Sequence, residues 1–520
     1  MRLKDIIRNC GVVSCTGSTD IEICAVCNDS RKVVPGSLFV AVNGCGNDGR
    51  EYIGKAIEAG AAAVMYEILR DAQDDNVKQL DDNVKQLDDS RALQDDIQAV
   101  ILSASEKSHL TIITVKDSRK AIAYAADAFY GHPSGQLSLV GITGTNGKTT
   151  TVTLLYRLFK ALGYECGLLS TIANYVGDRR METANTTSDP LTTNRLLAEM
   201  VDAGCSYCFM EVSSIGVEQE RVTGLEFAVG IFSNLTHDHL DYHGTFAEYL
   251  RCKKRFFDEL GPGATAITNI DDKHGEVMLQ NTRAHRVTYS CRSIADHSCR
   301  ILEKSFEGML LKIDGAEVWT RLTGVHNAYN LMAIYCTALA LGCDRDEVLV
   351  ALSGLEAAPG RLETIHGPRG LCAVIDYAHT PDALENVLKT LREVAPGKQL
   401  VCLFGCGGDR DRTKRPEMAQ VAQKWADRIF VTSDNSRTER TEDIMEDIRK
   451  GFSPEGLAKA IFIADRREAI RTALMLSPDG STVLLAGKGH ETYQIIGTEK
   501  THFDEKEIVK DIFKQCSTTL

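Results

Sequence analysis

The chain lacks any apolar run near the ~20 residues that span a bilayer. It lacks a surplus of positive charge: 59 Lys and Arg stand against 72 Asp and Glu, a net of -13, which argues against non-specific binding to nucleic acid. No signal peptide is expected, because Met1-Arg-Leu-Lys-Asp-Ile-Ile-Arg8 is amphipathic and charged where such a leader is apolar. It also lacks an even disulfide framework. Seventeen cysteines are scattered through strand-like and helix-like runs and read as reduced thiols of a cytoplasmic protein. Cys24-x-x-Cys27 and Cys205-x-x-Cys208 have metal-type spacing but lie far apart in the chain, so buried apolar thiols are expected there and not zinc. What remains is ordinary for a globular enzyme, with 43% hydrophobic and 25% charged residues. At 520 residues it is too long for one core.

The most specific stretch is Leu139-Val-Gly-Ile-Thr-Gly-Thr-Asn-Gly-Lys-Thr-Thr-Thr151. An apolar strand enters a Gly-rich turn and leaves into Val152–Phe159, which has helical apolar spacing. Gly144 and Gly147 let the backbone curl around phosphate, the first helical amides point at it, and Lys148 adds a positive charge. Thr149 is the hydroxyl expected on Mg²⁺. Ile142 stands where the usual eight-residue pattern begins with Gly, so this is a shortened form, Gly-x-x-Gly-Lys-Thr.

The patterns divide the chain into an N-terminal α/β domain (1–116), a central domain (117–358) and a C-terminal domain (359–520). The first mixes strand runs 37–42 and 61–66 with a helix at 53–59. Within it Asp-Asp-Asn-Val-Lys-Gln-Leu is duplicated at 74–80 and 81–87. Nine aspartates and three basic residues over 71–96 mark it as a solvated helix without chemistry. A helix is expected at 120–130. Strand and helix runs then alternate (208–212, 228–233, 264–268), which predicts a mostly parallel, doubly wound sheet. Residues 286–324 read as a small antiparallel patch. The last third alternates again, with strands at 372–375, 400–404, 428–431, 460–463 and 482–486 and a helix at 383–394. This predicts a second, Rossmann-like doubly wound sheet. Ligands of such folds sit at the carboxyl ends of strands. Four polar clusters fall there: Asp376–His379, Gly405–Arg410, Ser433–Arg437 and Gly487–Glu491. In the central domain Glu211 ends one strand and Asn234–Gly244, with His237, His239 and His243, follows another. Oxygen ligands with one imidazole suit Mg²⁺ shared with phosphates.

Gly144-Thr-Asn-Gly-Lys-Thr149, Glu211-Val-Ser-Ser214, Asn234-Leu-Thr-His-Asp-His239, Ala358-Pro-Gly-Arg-Leu-Glu363, Asp376-Tyr-Ala-His-Thr-Pro381 and Gly487-Lys-Gly-His-Glu491 together resemble the Mur ligases. Ala184–Thr187 and Gly405–Asp411 point to the branch that adds a diamino acid. The resemblance implies three α/β domains and an ATP-dependent ligase of peptidoglycan synthesis. Such an enzyme joins a diamino acid to the D-glutamate γ-carboxylate of UDP-MurNAc-L-Ala-D-Glu through an acyl phosphate, as a cytoplasmic monomer.

The same resemblance implies residue roles. Gly144, Thr145, Asn146, Gly147, Lys148, Thr149 and Thr150 would hold ATP, with Asn269, Arg361 and Asp376 on the nucleotide. Thr149 and Glu211 would hold one Mg²⁺, His239 and a carbamylated Lys253 the second; Lys148, Lys253 and His239 form the catalytic set. Ser30, Cys45, Gly46 and Asn47 match the uridine site. Asn185, Thr186, Thr187, Ser213, Gln219 and Arg221 match the sugar-peptide site. Arg410, Asp434, Asn435, Ser436, Arg437, Gly487 and Glu491 match the amino-acid site. Arg437 suits a second carboxylate, since its planar fork makes two parallel hydrogen bonds, so meso-diaminopimelate is expected. L-lysine or L-ornithine is the alternative. The chain departs from the family at Ser436, where proline is usual and φ is freed, and at Ile215, where histidine is usual. A folylpolyglutamate synthase-like ligase and a catalytically silent homologue are more remote readings.

Overall fold

The computed structural model describes residues 1–43, 48–68, 110–183, 185–238 and 240–518. The duplication at 74–87, Ala184, the loop residues Cys45, Gly46 and Asn47, and His239 lie outside the described residues. The chain forms two compact units: Met1–Leu139 with Tyr175–Cys208 and Val212–Phe227, and Val140–Asn174 with Phe209–Glu211 and Ala228–Leu520.

The first unit is built on a five-stranded sheet: β1 (Val12–Thr16), β2 (Ala25–Cys27), β3 (Ser37–Ala41), β4 (Ala63–Glu67) and β5 (Thr111–Val115), in the order β1-β5-β4-β3-β2. β2 to β5 are parallel and β1 is an antiparallel edge. Side chains alternate across the pleat. Phe39 and Ala41 therefore meet helix Ile53–Glu58 through Ile53 and Ala56. Leu38 and Val40 meet helix Ser118–Phe129 through Ala121, Ile122 and Ala125. That helix starts where Asp117 accepts the Arg119 and Lys120 amides, each at 3.0 Å. Cys27, Cys205 and Cys208 are buried as expected, but Cys24 is exposed. It lies just before β2, outside the pleat that would bury it, and donates to Pro35 O at 3.2 Å.

The second unit carries two sheets. Strands β6 (Ser138–Thr143), β7 (Cys166–Leu169), β8 (Asn174–Val176), β9 (Arg179–Met181), β10 (Tyr207–Glu211), β11 (Phe227–Phe232), β12 (Thr265–Asn269), β13 (His285–Ser290), β14 (His297–Lys304), β15 (Met309–Ile313) and β16 (Ala316–Thr320) follow in sequence, of which β9 and nearly all of β8 fall in the first unit's segment Tyr175–Cys208. The larger sheet runs β16-β15-β14-β13-β12-β11-β6-β10-β7. β11 to β14 are parallel and β14 to β16 antiparallel, so the expected antiparallel patch is a meander continuing the parallel sheet. This register brings the ends of β6, β10, β11 and β12 (Thr143, Glu211, Phe232 and Asn269) to one edge.

The other sheet comprises β17 (Glu363–His366), β18 (Cys372–Asp376), β19 (Leu400–Phe404), β20 (Arg428–Val431), β21 (Ala460–Phe462) and β22 (Thr482–Ala486), ordered β17-β18-β22-β19-β20-β21. All neighbours are parallel except the β17–β18 edge. Both faces are covered, which is why its strands read as unbroken apolar runs. Val374, Cys402, Phe404, Val431 and Leu484 pack on helix Pro381–Val394 through Leu384, Val387, Leu388 and Leu391. Ile375, Leu403, Phe430 and Leu485 pack on helices Arg466–Leu476 and Glu505–Thr518. Burial at ~1.5–3 kcal/mol per large side chain is what makes helices of this length stable.

Candidate active site

β6 delivers the chain into the phosphate loop, where Gly144 and Gly147 have φ of 148° and 91°. Any side chain there would collide: a Cβ on Gly144 would sit 2.0 Å from Ser233 Oγ, and one on Gly147 2.5 Å from Asn330 Oδ1. Helix Lys148–Ala161 begins at once, one turn earlier than its apolar spacing suggests, so Lys148, Thr149 and Thr150 form its first turn. The segment after β11 holds the loop from behind. Thr145 N donates to Asn234 O at 2.8 Å, Asn146 N to Asn234 Oδ1 at 2.9 Å, and Ser233 Oγ to Asn146 O at 2.7 Å. Asn146 Nδ2 reaches Asp382 Oδ2 at 2.8 Å.

Three charged groups converge at this loop. Lys148 Nζ donates to the Gly144 and Thr145 carbonyls, both at 2.8 Å. Burial lowers its pKa, against the nearby charges of Glu211 and Asp238. Thr149 Oγ1 donates to Glu211 Oε2 at 3.0 Å, and Glu211 Oε1 accepts the Thr171 amide at 2.8 Å. Lys253, on helix Phe246–Asp258, is 1% exposed and donates to Gly144 O at 2.9 Å. Its ammonium lies 4.6 Å from the centre of the Tyr249 ring. Burial, and then the charge of Lys148, drive its pKa well down. Among the described residues no three His, Cys, Asp or Glu side chains meet at one point. The expected metal donors Thr149 and Glu211 are together, while His239 lies outside the described set.

Beside the loop is a cavity of about 300 Å³, lined by Asn146, Gly147 and Thr150 at one end and by Asn269, Asp271, His326, Arg361 and Asp376 elsewhere. Asn269 donates to Ser233 O at 3.0 Å and accepts the Asp271 amide at 3.0 Å. The Arg361 guanidinium stacks 4.8 Å from the Tyr377 ring centre, and its buried Nε has no hydrogen-bond partner among the described residues. Asp376 accepts the Leu362 amide at 2.7 Å and the Ala378 amide at 2.8 Å, so it braces the turn that carries Arg361. Burial raises its pKa. The half-buried imidazole of His326 also lines the cavity, and desolvation holds its pKa down at about 4.

In the first unit, Thr187, Ser213, Gln219 and Arg221 form one hydrogen-bonded cluster. Thr187 Oγ1 meets Ser213 Oγ at 3.0 Å, while Arg221 donates to Thr187 O at 2.6 Å and to Gln219 Oε1 at 2.7 Å. Asn185 and Thr186 immediately precede Thr187, and Asn185 O accepts Thr183 Oγ1 at 2.8 Å. Ser30 opens the short turn Ser30–Lys32, capped by Asp29, which accepts the Arg31 amide at 3.0 Å. Ile215 sits in the short helix Ser214–Glu218, half-buried.

At the carboxyl ends of β20 and β22, Asp434, Asn435 and Glu491 gather around Lys488. This lysine is fully buried and 3.2 Å from Asn435 Oδ1, 3.0 Å from Glu491 Oε2 and 3.5 Å from Asp434 Oδ1. Asn435 Nδ2 also donates to Glu491 Oε2 at 2.9 Å. Lys488 was missed in the sequence because a lysine between two glycines reads as a solvated turn; its position one residue past a strand-end glycine was the available signal. Arg437 has a positive φ of 50° and donates to Gly408 O at 2.8 Å and to Asn435 O at 3.3 Å. Gly487 sits beside Asp434. Arg410 is exposed and donates to Asp409 O in its own loop at 3.1 Å. Ser436 does not loosen its loop: it is 1% exposed, and its Oγ bonds Thr441 Oγ1 at 2.6 Å, a side-chain tether where a proline ring would restrict φ.

Family models match most of the chain: the Mur ligase family, catalytic domain over residues 22–130, the Mur ligase middle domain over 142–338, and the Mur ligase glutamate ligase domain over 360–489. The chain belongs to the Mur ligase family. Its similar relatives include the UDP-N-acetylmuramoyl-L-alanyl-D-glutamate–2,6-diaminopimelate ligases of Bacteroides fragilis, 47% identical over 99% of both chains, and of Cytophaga hutchinsonii, 45% identical over 98% of this chain and 99% of that one. A solved structure of a UDP-N-acetylmuramoyl-L-alanyl-D-glutamate–2,6-diaminopimelate ligase matches at 29% identity with a TM-score of 0.66, covering 99% of each chain. The MurF ligase of Thermotoga maritima in complex with ADP has the same fold at 18% identity, with a TM-score of 0.60 over 94% of this chain and 97% of that one.

Proposed function

We propose that this Mur ligase uses ATP to join meso-2,6-diaminopimelate to the D-glutamate γ-carboxylate of UDP-MurNAc-L-Ala-D-Glu in peptidoglycan synthesis. Relatives at 45–47% identity carry the corresponding name. The observation that carries the reading is the meeting of Lys148, Lys253 and the Thr149–Glu211 pair at a phosphate loop beside a cavity lined by Arg361, whose buried Nε has no hydrogen-bond partner among the described residues. We read 1–116 as the UDP-binding domain, 117–358 as the ATP domain and 359–520 as the amino-acid domain of a cytoplasmic monomer. No described helix is long and apolar enough to cross a membrane.

The chemistry sets a plain difficulty, because a carboxylate must attack the γ-phosphate and both are anions. Loop amides and Lys148 stabilise the charge that develops on the transferring phosphoryl group. Arg361 holds the nucleotide in the cavity, with Asn269 and the Asp376-braced turn shaping it. The substrate carboxylate leaves this step as an acyl phosphate. The amine of the diamino acid then adds to its carbonyl, and phosphate departs from the tetrahedral intermediate.

Thr149 and Glu211 supply hard oxygen donors of the kind Mg²⁺ prefers, so the residues fit the ion. Two such ions, when bound, would supply charge neutralisation for the phosphates. Lys253 fits a carbamate: a buried lysine with a depressed pKa spends more time as the neutral amine, which adds to CO₂ and loses a proton to give an anionic oxygen donor. With His239 this donor would serve the second ion. Ser30, Cys45, Gly46 and Asn47, together with the Asn185–Thr187, Ser213, Gln219 and Arg221 group, take the UDP-sugar-peptide. Asp434, Asn435, Ser436, Arg437, Gly487 and Glu491, with Arg410 at the rim, take the diamino acid.

The test is phosphate release from ATP in the presence of UDP-MurNAc-L-Ala-D-Glu and each of meso-diaminopimelate, L-lysine and L-ornithine. Turnover with diaminopimelate well above the other two is expected. Preference for lysine would overturn the assigned amino acid, and silence with all three would overturn the ligase reading.

A further inference from the structure

We propose that Cys291 and Cys299 are a modification site, joined by peroxide into a disulfide at the edge of the cavity described above. β13 and β14 run parallel with Tyr289 opposite His297 and Ser290 opposite Ser298. Cys299 is the next residue of β14, and Cys291 is the first residue beyond the end of β13. Adjacent strands lie roughly 4.7–4.9 Å apart, inside the ~4.4–6.8 Å between Cα atoms that a disulfide spans. Tyr289, two residues before Cys291, is 0% exposed; Cys299 is 2% exposed and Cys291 half-buried. The Cys299 thiol is near enough to be the first influence on its neighbour, pushing the Cys291 pKa up ahead of burial itself.

What makes the pair consequential is the carboxylate it adjoins. Asp271 accepts the Cys291 amide at 2.8 Å, the Arg292 amide at 3.0 Å, Ser290 Oγ at 2.8 Å and Tyr329 OH at 2.8 Å. Asp271, Arg292 and Tyr329 all line the cavity. A bond from Cys291 to Cys299 fixes the side chain of a residue whose amide Asp271 accepts, and so constrains the wall that Arg292 belongs to.

The step balances with hydrogen peroxide as oxidant. Cys291 sulfur attacks one peroxide oxygen, the O–O bond breaks and one water leaves, giving a sulfenic acid. Cys299 sulfur then attacks Cys291 sulfur, the S–O bond breaks and a second water leaves. Two thiol protons go to the two waters, and two electrons pass from sulfur to peroxide. Because thiolate is scarce at Cys291, the pair reacts more slowly than a surface thiol and responds to sustained oxidant.

The experiment treats the full-length protein with hydrogen peroxide, blocks remaining thiols, and digests it with trypsin without reductant. Cleavage after Arg286, Arg292 and Arg300 releases the two cysteines on separate peptides, 287–292 and 293–300, unless a disulfide joins them. Mass spectrometry is expected to find these peptides linked, and separate once reductant is added or in Cys299→Ser. Titration calorimetry with ADP should show several-fold weaker binding after oxidation of the wild type. The treated Cys299→Ser and Cys299→Ala proteins should keep the affinity of the reduced form. Recovery of the peptides only as separate blocked thiols, or of Cys291 joined to Cys336, overturns the site. Linked peptides with unchanged ADP affinity overturn its effect on the cavity. The effect on ADP rests on the cavity being the nucleotide site, whereas the peptide linkage does not, so absence of ADP binding to the reduced protein would count against that reading alone.

Discussion

Lys148 and Lys253 donate to the same oxygen, the carbonyl of Gly144, at 2.8 and 2.9 Å. Two lysines on one neutral acceptor, one of them 1% exposed, is an arrangement that asks for negative charge. Phosphate supplies it on the Lys148 side. On the Lys253 side it is supplied by removing the cation, through deprotonation or carbamylation.

Removal of Lys253 is therefore expected to be costly for catalysis and cheap for folding. Lys253→Ala should lose most turnover, and Lys253→Glu should recover part of it because a carboxylate mimics a carbamate. Steady-state phosphate release checks both. An active Lys253→Ala would take the residue out of the site.

The same lysine carries a pH signature. In the folded protein it gives up its proton well below 10.5, because burial and then Lys148 disfavour its charge. An unfolded chain, with its lysine near the ordinary value, binds more protons throughout that interval, so stability rises with pH across it. In CO₂-free buffer, Tm should climb less steeply with alkalinity in Lys253→Met than in the wild type. Parallel slopes would mean that Lys253 is not the group responsible.

Lys148→Ala should abolish turnover with Tm close to that of the wild type. The loop loses two hydrogen bonds from this side chain but keeps the hold of Asn234 and Ser233 on its backbone at Thr145 and Asn146. What is lost is charge at the phosphate. Wild-type activity in this variant would refute the ATP reading, and an unfolded variant would refute the account of how the loop is held.

Much of this was legible in the sequence, for a physical reason. Strands covered on both faces, such as Leu400–Phe404 and Thr482–Ala486, must be apolar throughout, so they stand out, and the polar clusters after them mark the sheet edge where ligands bind. The start of helix Lys148–Ala161 was less legible, because its first turn is polar and β-branched and is set by the phosphate loop and not by apolar spacing. The roles of Lys488 and Arg466 were less legible for another reason. A buried cation looks like a surface one until its partners are known, and Arg466 meets Glu505 from 39 residues away. Cys24 looked like a core thiol by type alone, and the pleat leaves it outside.

In the amino-acid site, Arg437 and Lys488 should separate cleanly. Arg437→Ala should weaken diaminopimelate by ~2–4 kcal/mol if a buried bidentate pair is lost, with little change for L-lysine. Lys488→Met should weaken both, because it leaves Asp434 and Glu491 facing each other and removes one of the two donors to the Asn435 amide oxygen, the Ile495 amide remaining. KM for each amino acid at saturating ATP is the measurement. An equal effect of Arg437→Ala on both substrates would mean that it does not read the second carboxylate.

Arg466 and Glu505 are both fully buried and paired at 2.8 Å, and Arg466 also donates to Ser433 O at 3.0 Å and Ala486 O at 2.8 Å. Those carbonyls immediately precede Asp434 and Gly487, so one guanidinium ties the C-terminal helix to the two strand ends that carry the amino-acid site. Breaking a buried pair from one side leaves an uncompensated charge and typically costs ~3–5 kcal/mol. Arg466→Met is expected to fall in that range, since it strands a buried carboxylate and two carbonyls at once. Burial already raises the pKa of Glu505, so the stranded group takes up a proton and softens the loss. Glu505→Gln keeps a hydrogen-bond acceptor opposite Arg466 and should cost less. Its remaining effect should appear as a higher KM for the diamino acid, with KM for ATP unchanged, because the guanidinium left without its counter-charge pulls on the two loops. Urea denaturation and the two KM values test this together. Equal shifts in both KM values would show that the pair supports the fold at large and not the amino-acid loops.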